Sequence, residues 1–173
     1  MIKIKIKMLV EKIQKQNVGN AGEYYIASRL SALNFVATIT LGRAEKYDIL
    51  AISPKGRVVK LSVKTTQVEK AKDFPLSHKD ECGQSEDFYY AFVKLNNFTK
   101  DPDFWVIPSK VLCPLLKNSH EKWGNTLNRK GEKHGHSDVR LLPIELTAGQ
   151  RQYYPENWEK DVEKYYKNLN QLL

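Results

Sequence analysis

The chain has 173 residues, of which 41% are hydrophobic and 28% charged, and this composition excludes a disordered protein and favours one globular domain with its own core. Lysine and arginine outnumber aspartate and glutamate, and the formal net charge of +8 favours a polyphosphate partner such as nucleic acid. The two cysteines are far apart in sequence, so neither a zinc knuckle nor a disulfide framework is expected.

The N-terminal segment, MIKIKIKMLV, is basic and lacks the long apolar run of a signal peptide. No apolar run in the chain approaches the length needed to cross a bilayer. Together with the cysteine usage, these features predict a cytoplasmic protein with no membrane partner.

Taken in chain order, the first elements alternate between strand and helix patterns. Residues 2–7 alternate strictly and predict an edge strand or a basic arm, and residues 8–16 have helical spacing. The NVGN segment at 17–20 predicts a break and a new N-cap, followed by a second helix over residues 21–33.

The rest of the chain reads mainly as strands separated by polar segments. Strands are predicted over residues 35–41, 47–52, 57–66, 88–95, 103–108 and 139–146. Helices are predicted over residues 109–117, with Ser109 as N-cap and Pro114 bending or ending the helix, and over 155–173. Residues 67–87 are predicted to be irregular and 118–138 a mobile loop. This order predicts a single domain over residues 1–173, of the α/β class, with a mixed central β-sheet flanked by helices.

The segment YDILAISPKGRVVKLSVKTT, residues 47–66, predicts a hairpin with SPKG as its turn. Because strand residues alternate faces, Ser62 and Lys64 lie on the opposite face from Leu61 and its apolar neighbours. Counting back from the turn places Asp48 opposite the stretch around Ser62 and Lys64. A carboxylate and a lysine fixed on one sheet suit phosphodiester hydrolysis, which uses a divalent metal with oxygen ligands and a nearby cation.

These residues, with the preceding GNAGEYYIASRL helix, resemble the PD-(D/E)XK nuclease superfamily, which has a restriction-endonuclease-like core. The resemblance implies a core over about residues 19–125, with a helical extension over about 147–173. It implies a metal-dependent DNA endonuclease in which Asp48, Glu23 and the Val63 carbonyl bind Mg²⁺, or Mn²⁺ in its place. Lys64 would then orient the attacking water and stabilise the developing negative charge.

The sequence departs from the family pattern at Ser62, which stands where a second acidic ligand is expected. Two alternatives therefore stay open: an inactive or weakly active nuclease-fold protein that binds nucleic acid, and an interaction or immunity protein that uses the same fold. Glu23 also has an alternative role, because a carboxylate near a helix start is favoured by the helix dipole.

The expected partner is nucleic acid, above all double-stranded DNA, with a homodimer as one way to cut both strands. Polar and basic residues near the hairpin are candidates for contacts with the phosphate backbone. They are Arg43, Lys46, Gln67, Lys72 and Lys79.

Overall fold

The computed structural model describes residues 13–40, 47–83, 85–134 and 137–173. The strands are β1 (Val36–Ile39), β2 (Ile49–Ile52), β3 (Val58–Thr66), β4 (Asp73–Ser77), β5 (Phe88–Lys94), β6 (Asp103–Pro108) and β7 (Val139–Pro143). The α-helices are α1 (Lys15–Ser31), α2 (Ser109–Gly124) and α3 (Trp158–Glu163), and 3₁₀ turns occur at His78–Glu81, Asn96–Phe98 and Asn170–Leu172. The strand predicted over 2–7 and most of the helix predicted over 8–16 lie outside the described residues.

Five strands form the central sheet in the order β1-β2-β3-β5-β6. The pairs β1/β2, β2/β3 and β5/β6 are antiparallel, whereas β3 and β5 are parallel. The predicted α/β class with a mixed central sheet flanked by helices is therefore confirmed. Parallel neighbours require a crossover connection, and here β4 and the 78–81 turn lie within it.

Helix α1 covers one face of the central sheet, and α2, α3 and the β4/β7 sheet cover part of the other. Ile26 and Leu30 of α1 are fully buried in the first core together with Leu61 of β3. Phe92 and Leu116 belong to the second core. On this second face, the ends of β1, β2 and β3 leave Val36, Ile52 and Val58 exposed. Among the described residues, no helix is long and apolar enough to span a membrane.

Helix α1 is continuous through the NVGN segment, so the predicted break at 17–20 is wrong. Its buried residues Val18, Gly22, Ile26 and Leu30 recur every four positions and form one stripe facing the sheet. Burial of this stripe on both sides of Gly19 outweighs the lower helix propensity of glycine and asparagine.

Helix α2 is longer than predicted, because Pro114 neither ends it nor stops its packing. The buried residues Leu112, Leu115 and Leu116 lie on both sides of the proline and keep the helix against the sheet. Ser109 is not the N-cap. Its hydroxyl instead bonds the backbone of Ser85, accepting from the amide at 3.0 Å and donating to the carbonyl at 3.1 Å.

The polar segment 67–87 is not irregular, because β4 lies within it and pairs with β7 in a second, two-stranded sheet. Phe74 and Leu76 of β4 are buried, and this alternation was obscured by the polar residues around it. The segment 118–138 is likewise not one loop. It begins as the last two turns of α2 and then contains a bridge between Leu127 and Lys133.

The closing helix predicted over 155–173 is wrong in extent, since α3 covers only six residues. The chain leaves the helix and lies along the free edge of β6, where the Val106 amide donates to the Tyr165 carbonyl at 3.1 Å. The Lys167 amide donates to the Phe104 carbonyl at 2.8 Å, and Lys167 has a positive φ of 50°. Pairing of an otherwise open sheet edge replaces the hydrogen bonds that a longer helix would make.

Candidate functional site

The β2–β3 hairpin has the predicted antiparallel register, with Ile49 opposite Leu61. Its turn is closed by Gly56, whose φ of +84° favours glycine, and by Ser53, whose amide donates to the Arg57 carbonyl at 2.8 Å. This register places Asp48 beside Ser62, as the sequence predicts.

The Asp48 carboxylate is fixed by groups of β3. The Val63 amide donates to Asp48 Oδ2 at 2.5 Å, and the Ser62 hydroxyl donates to the same oxygen at 3.3 Å. The Asp48 amide itself donates to the Leu61 carbonyl at 2.8 Å. Because both side-chain bonds use Oδ2, Asp48 Oδ1 accepts no hydrogen bond from any described residue and remains available to a ligand.

Ser62 occupies the position of the missing acid and is buried, with a relative exposure of 6%. Its hydroxyl serves as a donor to Asp48, so in this site the residue orients a carboxylate instead of adding one. The Val63 carbonyl lies on the same edge of β3 as the Val63 amide, because the N–H and C=O of one strand residue point to the same neighbour. The Val63 carbonyl therefore points to the side of the strand where Asp48 lies.

Glu23 comes from α1 and lies close enough to Asp48 for their charges to interact. Partial burial raises the pKa of the Glu23 carboxyl above its ordinary value, and the negative charge of Asp48 raises this pKa further. Neither carboxylate forms an ion pair with a residue of the described ranges. The two acids thus share a region whose negative charge the surrounding described side chains do not neutralise.

Close contact between α1 and β3 brings Glu23 to this position. A Cβ atom on Gly22 would overlap the Thr65 hydroxyl oxygen and lie 2.9 Å from both Cβ and Cγ2 of Thr65. That hydroxyl is buried and has no hydrogen-bond partner among the described residues. The absence of a side chain at Gly22 therefore sets how closely the helix approaches the strand that carries Val63 and Lys64.

Lys64 lies on the Ser62 face of β3, but its ion pair is with Asp80 of the 78–81 turn, at 3.3 Å, and not with Asp48. Both side chains line a groove of about 860 Å³ between the β3 face and the crossover connection. The other residues that line this groove are Tyr47, Lys60, Ser62, Ser77, His78, Lys79, Cys82, Gly83, Ser85, Phe88 and Tyr90.

Asp80 is the site residue that the sequence analysis missed. The signal for it is the Ser77-x-x-Asp80 spacing, in which the Asp80 carboxylate accepts from the Ser77 amide at 2.8 Å, as in a capping box. In a segment predicted to be irregular, this spacing gave no signal, because a cap is informative only where a helical turn is expected.

The basic and polar residues predicted to contact the phosphate backbone do not all lie at the groove. Lys79 lines the groove. Lys72 is exposed and paired with Glu145 at 3.2 Å, and the Gln67 carbonyl accepts from the Asn97 amide at 2.7 Å; neither Lys72 nor Gln67 lines the groove. Arg43 and Lys46 lie outside the described residues.

A divalent cation such as Mg²⁺ requires oxygen ligands. No cluster of three or more histidine, cysteine, aspartate or glutamate side chains occurs in the part of the chain that the structure describes. Asp48 Oδ1, the Glu23 carboxylate and the Val63 carbonyl nevertheless provide hard oxygen atoms: Glu23 is near enough to Asp48 for their charges to interact, and the Val63 amide bonds Asp48. Mg²⁺ commonly binds through one or two carboxylates and keeps several waters, so these residues fit it.

The raised pKa of Glu23 predicts a pH-dependent effect of Glu23→Gln on stability. Glu23 binds its proton more tightly in the folded than in the unfolded protein. Protonated Glu23 therefore adds to the free energy of unfolding below about pH 4, and this stabilisation is lost as the pH rises through the folded-state pKa. In EDTA, we expect Glu23→Gln to raise the melting temperature at pH 7 relative to wild type, with a smaller gain at pH 4. Thermal melts across this range measure it, with the exposed Glu163→Gln as the control; a gain that does not change with pH would contradict the assignment.

Comparison with known proteins gives only distant likenesses. No family model matches the chain, and no curated protein matches its sequence. Its structure is similar to that of a bacterial homing endonuclease, I-Ssp6803I, at 14% identity and a TM-score of 0.46, covering 89% of this chain and 95% of the other. It is also similar to Hjc of Archaeoglobus fulgidus, a Holliday junction resolvase from an archaeal hyperthermophile, at 14% identity and a TM-score of 0.41, covering 79% of this chain and 97% of the other. Function is therefore inferred from the site itself.

Proposed function

We propose that the protein is a metal-dependent endonuclease of the PD-(D/E)XK type, which hydrolyses phosphodiester bonds in DNA. The observation that carries this proposal is the pair of interacting carboxylates, Glu23 and Asp48, beside a strand whose groove face presents Lys64. Two acids that no described cation neutralises, on a chain with a net charge of +8, suit a metal ion and a polyanionic substrate.

In this proposal, Asp48, Glu23 and the Val63 carbonyl hold Mg²⁺, and Mn²⁺ can substitute. When bound, such an ion would supply positive charge and Lewis acidity at the phosphate. The protein's part is to keep the ligands in place. The Val63 amide and the Ser62 hydroxyl both donate to Asp48 Oδ2, and this fixes the orientation of the carboxylate and leaves Oδ1 for the ion.

Lys64 contributes a cation on the Ser62 face of β3, where Asp80 holds it. In the proposed reaction, its ammonium donates a hydrogen bond to the attacking water or to a phosphate oxygen, where negative charge develops. Lys60 and Lys79 line the same groove and would contact the phosphate backbone. Affinity should then fall steeply with salt concentration, as expected when lysines displace counterions from DNA. Cutting both strands of a duplex would call for two such sites, which a homodimer would supply.

Lys64→Met tests the proposed chemistry while keeping most of the side chain's apolar volume. We expect wild-type protein to nick supercoiled plasmid with Mg²⁺ and not with EDTA, and Lys64→Met to slow nicking by about 10²–10³-fold, as for loss of one preorganised transition-state donor. The control is Lys117→Met, an exposed position on α2 outside the groove. Equal nicking by the two variants, or no nicking by wild type, would count against a catalytic role.

A second candidate function is binding of nucleic acid without cleavage, and Ser62 is the observation that favours it. A site with a hydroxyl in place of an acid has less charge with which to retain a metal. This alternative predicts salt-sensitive binding of labelled duplex that is unchanged by EDTA and by Asp48→Asn. Fluorescence anisotropy measures the binding, and a requirement for Mg²⁺ would exclude this alternative.

A further inference from the structure

The ion pair between Lys64 and Asp80 differs from an ordinary surface pair, because hydrogen bonds hold the Asp80 carboxylate and its side chain is largely buried. Asp80 Oδ2 accepts from the Ser77 amide at 2.8 Å and from the Ser77 hydroxyl at 3.1 Å, which leaves Oδ1 for Lys64. The Asp80 side chain is 13% exposed and that of Lys64 is 32% exposed. Buried Tyr90, which lies beside Ser62 in the sheet, has a pKa raised by burial and by the negative charge of nearby Asp80.

The turn that carries Asp80 is itself attached to the second sheet. Glu81, the next residue, forms an ion pair with Arg140 of β7, and the Arg140 side chain is buried. The His78 amide donates to the Asp138 carbonyl at 2.8 Å. Because both ends of the turn are held by these contacts, the backbone that carries Asp80 is fixed relative to Lys64.

Two other roles for Asp80 fit these contacts less well. As a metal ligand, Asp80 would have to give up either its bonds to Ser77 or its pair with Lys64, since each oxygen already has a partner. As a merely structural pair, it would contribute little, because partly exposed ion pairs add little to stability. A fixed carboxylate beside a flexible lysine is instead suited to holding the ammonium in one place.

We infer that Asp80 is a positioning residue, which holds the Lys64 ammonium in the groove beside Ser62 and so couples the crossover connection to the chemistry. This inference rests on the proposed function. A lysine has four rotatable bonds, and misplacing a reacting group by about 1 Å can cost about a hundredfold in rate. Asp80 acts only through Lys64, so its removal should lower kcat and leave substrate binding nearly unchanged.

The test combines Asp80→Asn with Lys64→Met in a double-mutant cycle measured by plasmid nicking. We expect Asp80→Asn to lower kcat by about 10–100-fold, with KM within about threefold of wild type. In the Lys64→Met background, the same change should have no further effect, and Asp80→Glu should recover part of the rate. Asp87→Asn, which removes an exposed carboxylate paired with Arg57, is the matched control and should leave kcat unchanged.

A second measurement separates this inference from the proposed function. Lysines are reductively methylated with ¹³C-formaldehyde, and the Lys64 signal is assigned with Lys64→Met. We expect Asp80→Asn, and more weakly Ser77→Ala, to shift that signal, while Asp87→Asn does not. A Lys64 signal that Asp80→Asn leaves unchanged, or an equal loss of kcat in the Lys64→Met background, would overturn the inference. If wild type does not nick DNA, the proposed function fails and a positioning role in catalysis falls with it, whereas a shifted signal would still show the ion pair in solution.

Discussion

Replacing Asp48 with asparagine should lower Mg²⁺-dependent nicking by at least about a hundredfold, because even an outer-shell partner of a metal ligand is worth about 10–100-fold. The amide keeps the size of the side chain and can still accept from the Val63 amide and the Ser62 hydroxyl. It removes the negative charge that contributes to the raised pKa of Glu23. The fold should therefore be retained while the proposed ligand is lost, and initial nicking rates measure the change.

The matched control is Asp101→Asn, which neutralises an exposed aspartate at the loop before β6. We expect this variant to nick at the wild-type rate. Circular dichroism and thermal melts should place both variants within a few degrees of wild type. Similar nicking by Asp48→Asn and Asp101→Asn would contradict the assignment of Asp48 to the reacting centre.

Gly22 is not a proposed metal ligand, yet we expect Gly22→Ala to lower both the stability of the protein and its nicking rate. The alanine methyl group would collide with Thr65, so α1 must move away from β3. Overpacking of this kind costs about 1–3 kcal/mol, and the better helix propensity of alanine returns up to about 1 kcal/mol. The melting temperature should fall by several degrees, and displacement of Glu23 should slow nicking by at least about tenfold.

Gly19→Ala provides the control in the same helix, because nothing lies within 4 Å of a Cβ atom added there. We expect it to raise the free energy of unfolding by up to about 1 kcal/mol and to leave nicking unchanged. Adding Thr65→Ala to Gly22→Ala should recover part of the lost stability. The recovery is incomplete because the Thr65 Cβ atom, 2.9 Å from the added methyl group, remains. If Gly22→Ala were as stable as Gly19→Ala, the close helix–strand contact would be refuted.

The hairpin could be predicted from sequence because its information is local. Strand alternation and a four-residue turn fix which residue faces which, so the neighbours of Asp48 follow from counting. The structure agrees, with hydrogen bonds from Ser62 and Val63 to the Asp48 carboxylate. The family resemblance then added Glu23, whose electrostatic interaction with Asp48 depends on how α1 packs on the sheet.

The features that sequence reasoning missed depend on contacts between distant segments. Strand β4 is stabilised by pairing with β7, which follows it by more than sixty residues, so no local pattern reveals it. The ion pair of Lys64 with Asp80 exists because the crossover connection folds back over β3. Helix α2 continues through Pro114 because its apolar residues pack on both sides of the proline. In each case, tertiary burial or pairing outweighs the local preference.

In the proposed function, Asp48 and Glu23 together hold a divalent metal ion beside β3. Titration calorimetry with Mn²⁺ tests it most directly, using wild type, Asp48→Asn, Glu23→Gln and the Asp101→Asn control. We predict one ion bound per chain by wild type and by Asp101→Asn, with binding abolished in Asp48→Asn and weakened by about tenfold or more in Glu23→Gln. Equal Mn²⁺ binding by all four proteins, or none by wild type, would contradict it.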